Sequence, residues 1–245
     1  MNPLPRYALY YAPRPEEALA VAANQWLGWN PQSGRARALP ASSGIDPERL
    51  VEITAEPRRY GFHGTLKPPM ALIDDVTEAD FVTAVGRFAA TQRAFSAPSL
   101  TLAALSDFLA LLPTVRSPEL QDLADRCVVE FDEFRRPASD EELARRRGPG
   151  LTPRQDELLL RWGYPYVLEE WRFHLTLTGR LPDAAERAAV MNILKQRFSG
   201  LVDRPLPVRD LCVFRQSAPD RPFTVLARFR LGGGRLVSTE VWRAA

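Results

Sequence analysis

The chain contains two histidines, and both sit in the same five-residue setting: Phe62-His63-Gly64-Thr65-Leu66 and Phe173-His174-Leu175-Thr176-Leu177. With 12 threonines among 245 residues, a threonine two places after both histidines has a chance of about 0.25%, before the flanking Phe and Leu are counted. In an extended strand, residues i and i+2 share a face. His63 therefore lies with Thr65, and His174 with Thr176, while the flanking Phe and Leu turn to the other side. Imidazole titrates near pKa ~6.5, so a neutral ring can take a proton from water while a protonated one gives a proton to a leaving alkoxide. Each transfer is worth about 10²- to 10⁴-fold in rate. The threonine hydroxyls can donate to non-bridging phosphate oxygens, where negative charge builds up. The pair thus suits cleavage of a phosphodiester without a metal, provided that the fold brings both strands to one cavity.

Other chemistries fit the chain less well. Two histidines without HxH spacing or a neighbouring carboxylate pair make a poor metal site, so no metal or other cofactor is expected. There is no Gly-x-Ser-x-Gly elbow. Cys127 and Cys212 adjoin neither motif and show no CxxC or CxxH spacing, which makes them ordinary buried thiols. A net charge of +2 argues against a long nucleic-acid partner. Arginine is clustered locally instead, at Arg58-Arg59, Arg135-Arg136 and Arg145-Arg146-Arg147, and the last run reads as a solvated helix face. The apolar stretch from Leu102 to Leu112 is broken by Ser106 and Asp107, so no membrane span is expected. Met1 to Arg6 leads straight into an aromatic run without the features of a signal peptide, and the expected location is cytoplasmic.

The elements that must position the histidines follow from periodicity and caps. Tyr7 to Tyr11 reads as a strand, and Glu16 to Leu27 as a helix between Pro15 and Gly28. Residues 29–50 read as a long connection with one short helical turn near Pro47. Gly61 to Leu72 is a strand that Pro68 and Pro69 end or distort. Thr77 caps a helix to about Thr91, and Ser99–Leu105 and Phe108–Val115 form a hairpin turning at Ser106-Asp107. After a helix from Pro118 to Phe134, a charged stretch, a Gly148-Pro149-Gly150 hinge and a short helix after Thr152, the order repeats. Trp171–Leu181 is a strand, Asp183 caps a helix to Phe198, and Val208–Gln216 and Phe223–Leu231 are strands.

Strand, helix, strand, strand thus occurs twice, each time led by Phe-His-x-Thr-Leu. The expected fold is α+β and bilobal: a pseudo-two-fold duplication with two antiparallel sheets facing a central cleft and helices outside. It forms a single domain over 1–245, with lobe one over about 1–116, a helical insertion over about 117–165 and lobe two over about 166–245.

Paired His-x-Thr motifs in a duplicated α/β chain resemble the two-histidine (2H) phosphoesterase superfamily. The strings RYGFHGTLKPP at 59–69, LTPRQDELLLRWGYPY at 151–166 and FHLTLTGRL at 173–181 resemble, more narrowly, the 2H branch associated with phosphonate degradation by the carbon-phosphorus lyase route. The resemblance implies that His63 and His174 are catalytic and that Thr65 and Thr176 bind phosphate. It also implies a small ribose cyclic phosphate substrate, such as 5-phosphoribosyl 1,2-cyclic phosphate. A second phosphate on that sugar calls for further cations, and Lys67 and Arg172 share their strand faces with the histidines. Tyr60 and Tyr166 could stack on the sugar or base, or pack in the core. The competing readings are a 2',3'-cyclic nucleotide or RNA-end phosphodiesterase, and a binding module without turnover. Oligomeric state is left open.

Overall fold

A computed structural model describes residues 4–40, 43–148 and 150–232; Met1 to Pro3 and the hinge residue Pro149 lie outside them. The N-terminal half runs β1 (Arg6–Tyr11), α1 (Ala18–Leu27), a short hairpin of β2 (Trp29–Asn30) and β3 (Arg35–Ala36), α2 (Pro47–Tyr60), β4 (Gly64–Met70), α3 (Glu78–Thr91), β5 (Phe95–Ala97), β6 (Leu100–Leu105) and β7 (Phe108–Pro113). Three helices follow: α4 (Pro118–Glu130), α5 (Asp140–Arg147) and α6 (Pro153–Trp162). The chain then continues through β8 (Leu175–Thr176), α7 (Ala184–Phe198), β9 (Leu206–Val208), β10 (Asp210–Gln216) and β11 (Thr224–Arg230). The architecture is α+β with antiparallel strands, as expected. No helix among the described residues is long and apolar enough to cross a membrane.

β1 divides the molecule into two faces. Tyr7, Leu9 and Tyr11 enter the main core with α1, α2, α3, α4 and α7, whereas Ala8, Tyr10 and Ala12 join a smaller cluster with Cys212, Phe214 and Phe223. A strand covered on both sides needs apolar residues at both parities, and the run Tyr-Ala-Leu-Tyr-Tyr supplies them.

The two sheets expected from the duplication are joined into one seven-stranded sheet in the order β11-β10-β1-β4-β8-β7-β6. The halves are interleaved in it. Hairpin β10-β11, from the C-terminal half, pairs through β10 with β1, which pairs in turn with β4, and hairpin β6-β7, from the N-terminal half, pairs through β7 with β8. Each half lends a hairpin to the other's side of the sheet, and the two His-x-Thr strands meet in the middle, where Gly64 pairs with Leu175. Glycine is required there by close approach: a Cβ on Gly64 would lie 2.4 Å from Cε2 of Phe173. The ring of the second motif occupies the space that the first leaves open.

Two elements differ from expectation. The helical turn near Pro47 is the start of a 14-residue helix, capped by Asp46, whose side chain accepts from the amides of Glu48 and Arg49. Its apolar stripe of Leu50, Ile53, Thr54 and Pro57 has helical spacing but is narrow among charges, and Pro57 reads as a breaker. Pro57 has no N–H to donate to Ile53, and the freed Ile53 carbonyl instead accepts from Gly179 N at 2.6 Å. The missing helical bond thereby ties α2 to the chain just beyond the second motif. The second motif strand, expected over Trp171–Leu181, is reduced to Leu175–Thr176. Its flanking amides are used elsewhere, with Leu177 N and Thr178 N both on Leu109 O and Leu181 N on Asp107 O. Side-chain alternation from Trp171 to Leu177 nevertheless persists.

Candidate active site

The pairing of Gly64 with Leu175 positions the motif residues. In an antiparallel register, one step to either side sets His63 opposite Thr176 and Thr65 opposite His174. Directly opposed side chains start about 5 Å apart and diagonal ones about 7–8 Å. The two imidazoles are the diagonal pair, a spacing that leaves room for one phosphate between them. All four side chains line one open cavity of about 1380 Å³.

Both rings are oriented in the same way. His63 Nδ1 is 2.9 Å from the carbonyl of Gly61, and His174 Nδ1 is 2.8 Å from that of Arg172. A carbonyl only accepts, so each Nδ1 carries the hydrogen and each Nε2 is an acceptor. Gly61 holds its carbonyl in place through a φ of 73°, and a Cβ there would lie 2.8 Å from Pro31, so both backbone and space demand glycine. The pairs differ in one respect: Thr65 Oγ1 lies 3.2 Å from His63 Nε2, and in this tautomer the hydroxyl donates. His63 also stacks on Tyr10, with ring centroids 3.8 Å apart.

Burial governs the protonation of both histidines. It pushes His63 down to about 4; the Gly61 hydrogen bond, which favours the charged form, opposes this, and the nearby His174 adds a smaller downward push. His174 is lowered too, again chiefly by burial. Because the folded value lies below the unfolded one near ~6.5, this contribution to stability is complete above pH ~6.5 and is lost as pH falls toward about 4. For His63 it amounts to at most about 3 kcal/mol, trimmed by solvent that reaches the ring through the cavity. In urea unfolding at pH 7.5 and 4.5, the wild type should lose more stability than His63→Gln. Equal losses would show that the fold does not hold the ring neutral.

The other residues expected at the site are only partly brought to it. Tyr60 lines the cavity, 6.1 Å from His63 between ring centroids. Lys67 does not: it is 2% exposed and donates to Val128 O at 2.9 Å, with Asp132 at 3.9 Å. The cause is a β-bulge. Tyr10 pairs with Thr65 but Leu9 pairs with Lys67, so one extra residue reverses the alternation and turns Lys67 to the core face of Leu9. Burial lowers its ammonium to about 8, and Asp132 partly offsets this. Arg172 is exposed and away from the cavity lining, because the chain before Leu175 has left the sheet; its carbonyl, not its guanidinium, serves His174. Tyr166 is 45% exposed and packs edge-on against Tyr164 at 5.7 Å, and it is Tyr164 that reaches the cavity.

The sequence family described as protein of unknown function (DUF1045) matches residues 65–224. The chain belongs to this family. Two curated relatives of this DUF1045 protein are both named ribose 1,5-bisphosphate phosphokinase PhnN. The protein from Janthinobacterium sp. (strain Marseille) is 38% identical over 231 residues, covering 93% of this chain and 51% of the relative. That from Laribacter hongkongensis (strain HLHK9) is 36% identical over 240 residues, covering 96% and 54%. The chain thus spans about half the length of the curated relatives it matches. Solved structures with a distant likeness include E. coli LigT complexed with 3'-AMP, at 14% identity and a TM-score of 0.43 over 92% of this chain and 97% of that one. Another is TT0787 of Thermus thermophilus, at 17% identity and a TM-score of 0.45 over 94% and 100%.

The DUF1045 cavity also holds residues that the strand-face rule does not reveal. Arg6, Arg59, Arg135, Arg136, Arg145, Arg146 and Arg180 line it against the carboxylates of Glu56, Asp107 and Glu142, so the local field favours an anion. The run Arg145-Arg146-Arg147, read from sequence as a solvated face, is divided: Arg147 turns to Asp156 at 2.6 Å, whereas Arg145 and Arg146 face the cavity. Of the pair Arg58-Arg59, Arg58 braces α2 through Leu27 O and Thr54, both at 2.7 Å, and only Arg59 reaches the site. Cys127 and Cys212 are buried free thiols, both pushed up chiefly by burial. Among the described residues, no three or more His, Cys, Asp or Glu side chains are grouped to hold a metal ion.

Proposed function

We propose that this DUF1045 protein is a metal-independent cyclic phosphodiesterase of the two-histidine type, opening a ribose cyclic phosphate in phosphonate degradation. The observation that carries this reading is the pair of imidazoles on diagonal positions of one strand crossing, each Nδ1 tied to a carbonyl and each accompanied by a threonine hydroxyl, in a cavity rich in arginine. His63, the neutral ring, takes a proton from water as its oxygen bonds to phosphorus. His174, protonated when the anionic diester is bound, gives its proton to the sugar oxygen as the P–O bond breaks. Once the diester is bound, the Thr65 hydroxyl turns from His63 Nε2 to a non-bridging oxygen, which frees that nitrogen for water, and Thr176 donates to another.

The names of the relatives support a particular substrate. In 5-phosphoribosyl 1,2-cyclic phosphate, breaking the bond from phosphorus to O2 leaves the phosphate on C1, and the product is ribose 1,5-bisphosphate, the compound in those names. Phosphorus NMR of EDTA-treated protein with this ester, and in parallel with a 2',3'-cyclic nucleotide, is the test. The expected result is selective conversion of the ribose ester to the 1,5-bisphosphate. Opening of the nucleotide alone would move the function to RNA metabolism, loss of activity with EDTA would restore a metal mechanism, and turnover of neither would leave a binding module.

A further inference from the structure

The seven arginines of the cavity fall into two groups. Arg135 is paired with Asp132 at 2.7 Å, Arg180 with Asp107 at 2.7 Å, Arg136 with Asp74, and Arg145 lies 3.8 Å from Glu142. Arg6, Arg59 and Arg146 have no carboxylate partner among the described residues, and neutral groups hold each of them. Arg6 donates to Gln216 Oε1 at 2.8 and 2.5 Å. Arg59 donates to the carbonyl of Pro219. Arg146 lies over the ring of Tyr164, 5.0 Å from its centroid. Neutral acceptors fix a guanidinium in place without cancelling its charge.

Two of these side chains are joined through shared partners, and Arg146 lines the same cavity. Gln216 is 1% exposed. It accepts from Arg6 and donates to Pro219 O at 3.3 Å, the carbonyl that Arg59 also uses, so one buried amide links the first two. Arg6 in turn lies over Phe223 at 5.6 Å, Phe223 stacks on Tyr60 at 5.3 Å, and Tyr60 adjoins His63. Burial lowers Arg146, Tyr164 and Glu142 oppose this, and the charges of Arg145 and Arg6 add to it. The carboxylates of the cavity lie with other partners: Asp107 holds Arg180, Glu142 closes the capping box of α5 and faces Arg145, and Glu56 lies beside Gly179.

A cyclic phosphodiester carries a single negative charge, and the histidine-threonine crossing already receives it. Three guanidiniums on the His63 flank, with no ion-pair partner among the described residues, are more positive charge than that group requires. We infer that Arg6, Arg59 and Arg146 form a second anion subsite, which takes a phosphate monoester on the same substrate, remote from the cyclic diester. This rests on the reading of the His pair as a phosphodiesterase site and replaces Lys67 and Arg172 as the cations for the second phosphate. A monoester dianion, with three acceptor oxygens, suits planar guanidiniums that bind it through paired hydrogen bonds. Tyr164 preorganises Arg146, and Gln216 preorganises Arg6, so little side-chain freedom remains to be lost on binding.

The test compares kcat/KM on 5-phosphoribosyl 1,2-cyclic phosphate and on ribose 1,2-cyclic phosphate, for the wild type, Arg6→Gln and Arg146→Gln. Each variant should lose about tenfold to a hundredfold on the phosphorylated ester, chiefly in KM, as expected for a lost charged hydrogen bond. The loss on the unphosphorylated ester should be much smaller, and equal losses on the two would overturn the subsite. Calorimetric titration with ribose 5-phosphate reads the subsite apart from turnover. Binding to the wild type that weakens at least about tenfold in Arg146→Gln upholds it even if neither cyclic ester is hydrolysed, an outcome that would sink only the phosphodiesterase reading. Absence of binding, or unchanged affinity in the variant, overturns it.

Discussion

His63→Ala and His174→Ala should each lower kcat/KM on the cyclic ester by about 10²- to 10⁴-fold, the range for removal of one general acid or base. The double variant should be little worse than either single one, because in the proposed mechanism proton removal and proton delivery serve the same displacement and fail together. The folded state should survive in both cases. His174 is half-buried beside Phe108, 5.9 Å away between ring centroids. His63 leaves Tyr10 with Phe214 at 4.9 Å as its remaining close aromatic partner. Circular dichroism and thermal melting would establish the fold, and phosphorus NMR the rate. Rates near wild type in either folded variant would end the acid-base assignment.

Thr65→Val and Thr176→Val should each raise the barrier by about 2.7–4 kcal/mol, the effect of deleting one hydrogen-bond donor to a developing phosphate charge. Valine keeps the branched shape, so the loss should appear in kcat more than in substrate binding. The two variants should part company in their pH profiles. Thr65 Oγ1 is 3.2 Å from His63 Nε2, where its hydroxyl stabilises the neutral ring. Removing it should therefore move the acid limb of kcat/KM to higher pH, while Thr176→Val leaves the limb in place. Identical profiles would mean that the Thr65 contact has no bearing on His63 protonation, and undiminished kcat in both variants would remove the threonines from the chemistry.

Features that depend on near neighbours are legible in the chain alone. The two Phe-His-x-Thr-Leu strings carry their strand parity with them, so imidazole and hydroxyl on one side and Phe and Leu on the other can be read directly. The caps at Thr77 and Asp183, and the hairpin turn at Ser106-Asp107, mark elements at the expected places. The duplicated order of strand, helix, strand, strand likewise makes an antiparallel α+β fold legible before any coordinate. The helix after Asp46 is in principle legible too, since its cap, its proline at the first helical position and its 50-53-54-57 stripe are local signals, but Pro57 hides it.

Whatever depends on partners far along the chain emerges only from packing. One residue of bulge between Thr65 and Lys67 arises from how β4 registers on β1, and it sends Lys67 into the core against the parity of its own strand. Arg172 is lost to the site because the second motif pairs over only two residues. The exchange of hairpins, which brings β4 against β8, is invisible to periodicity, which reports the faces of a strand but not its neighbour. Arg6 and Arg59, from the first 60 residues, reach the cavity beside Arg146 from α5 only because the sheet and the helical segment converge there. Short-range chemistry sets which side chains can act together on one strand, and long-range packing sets which charges stand across from them.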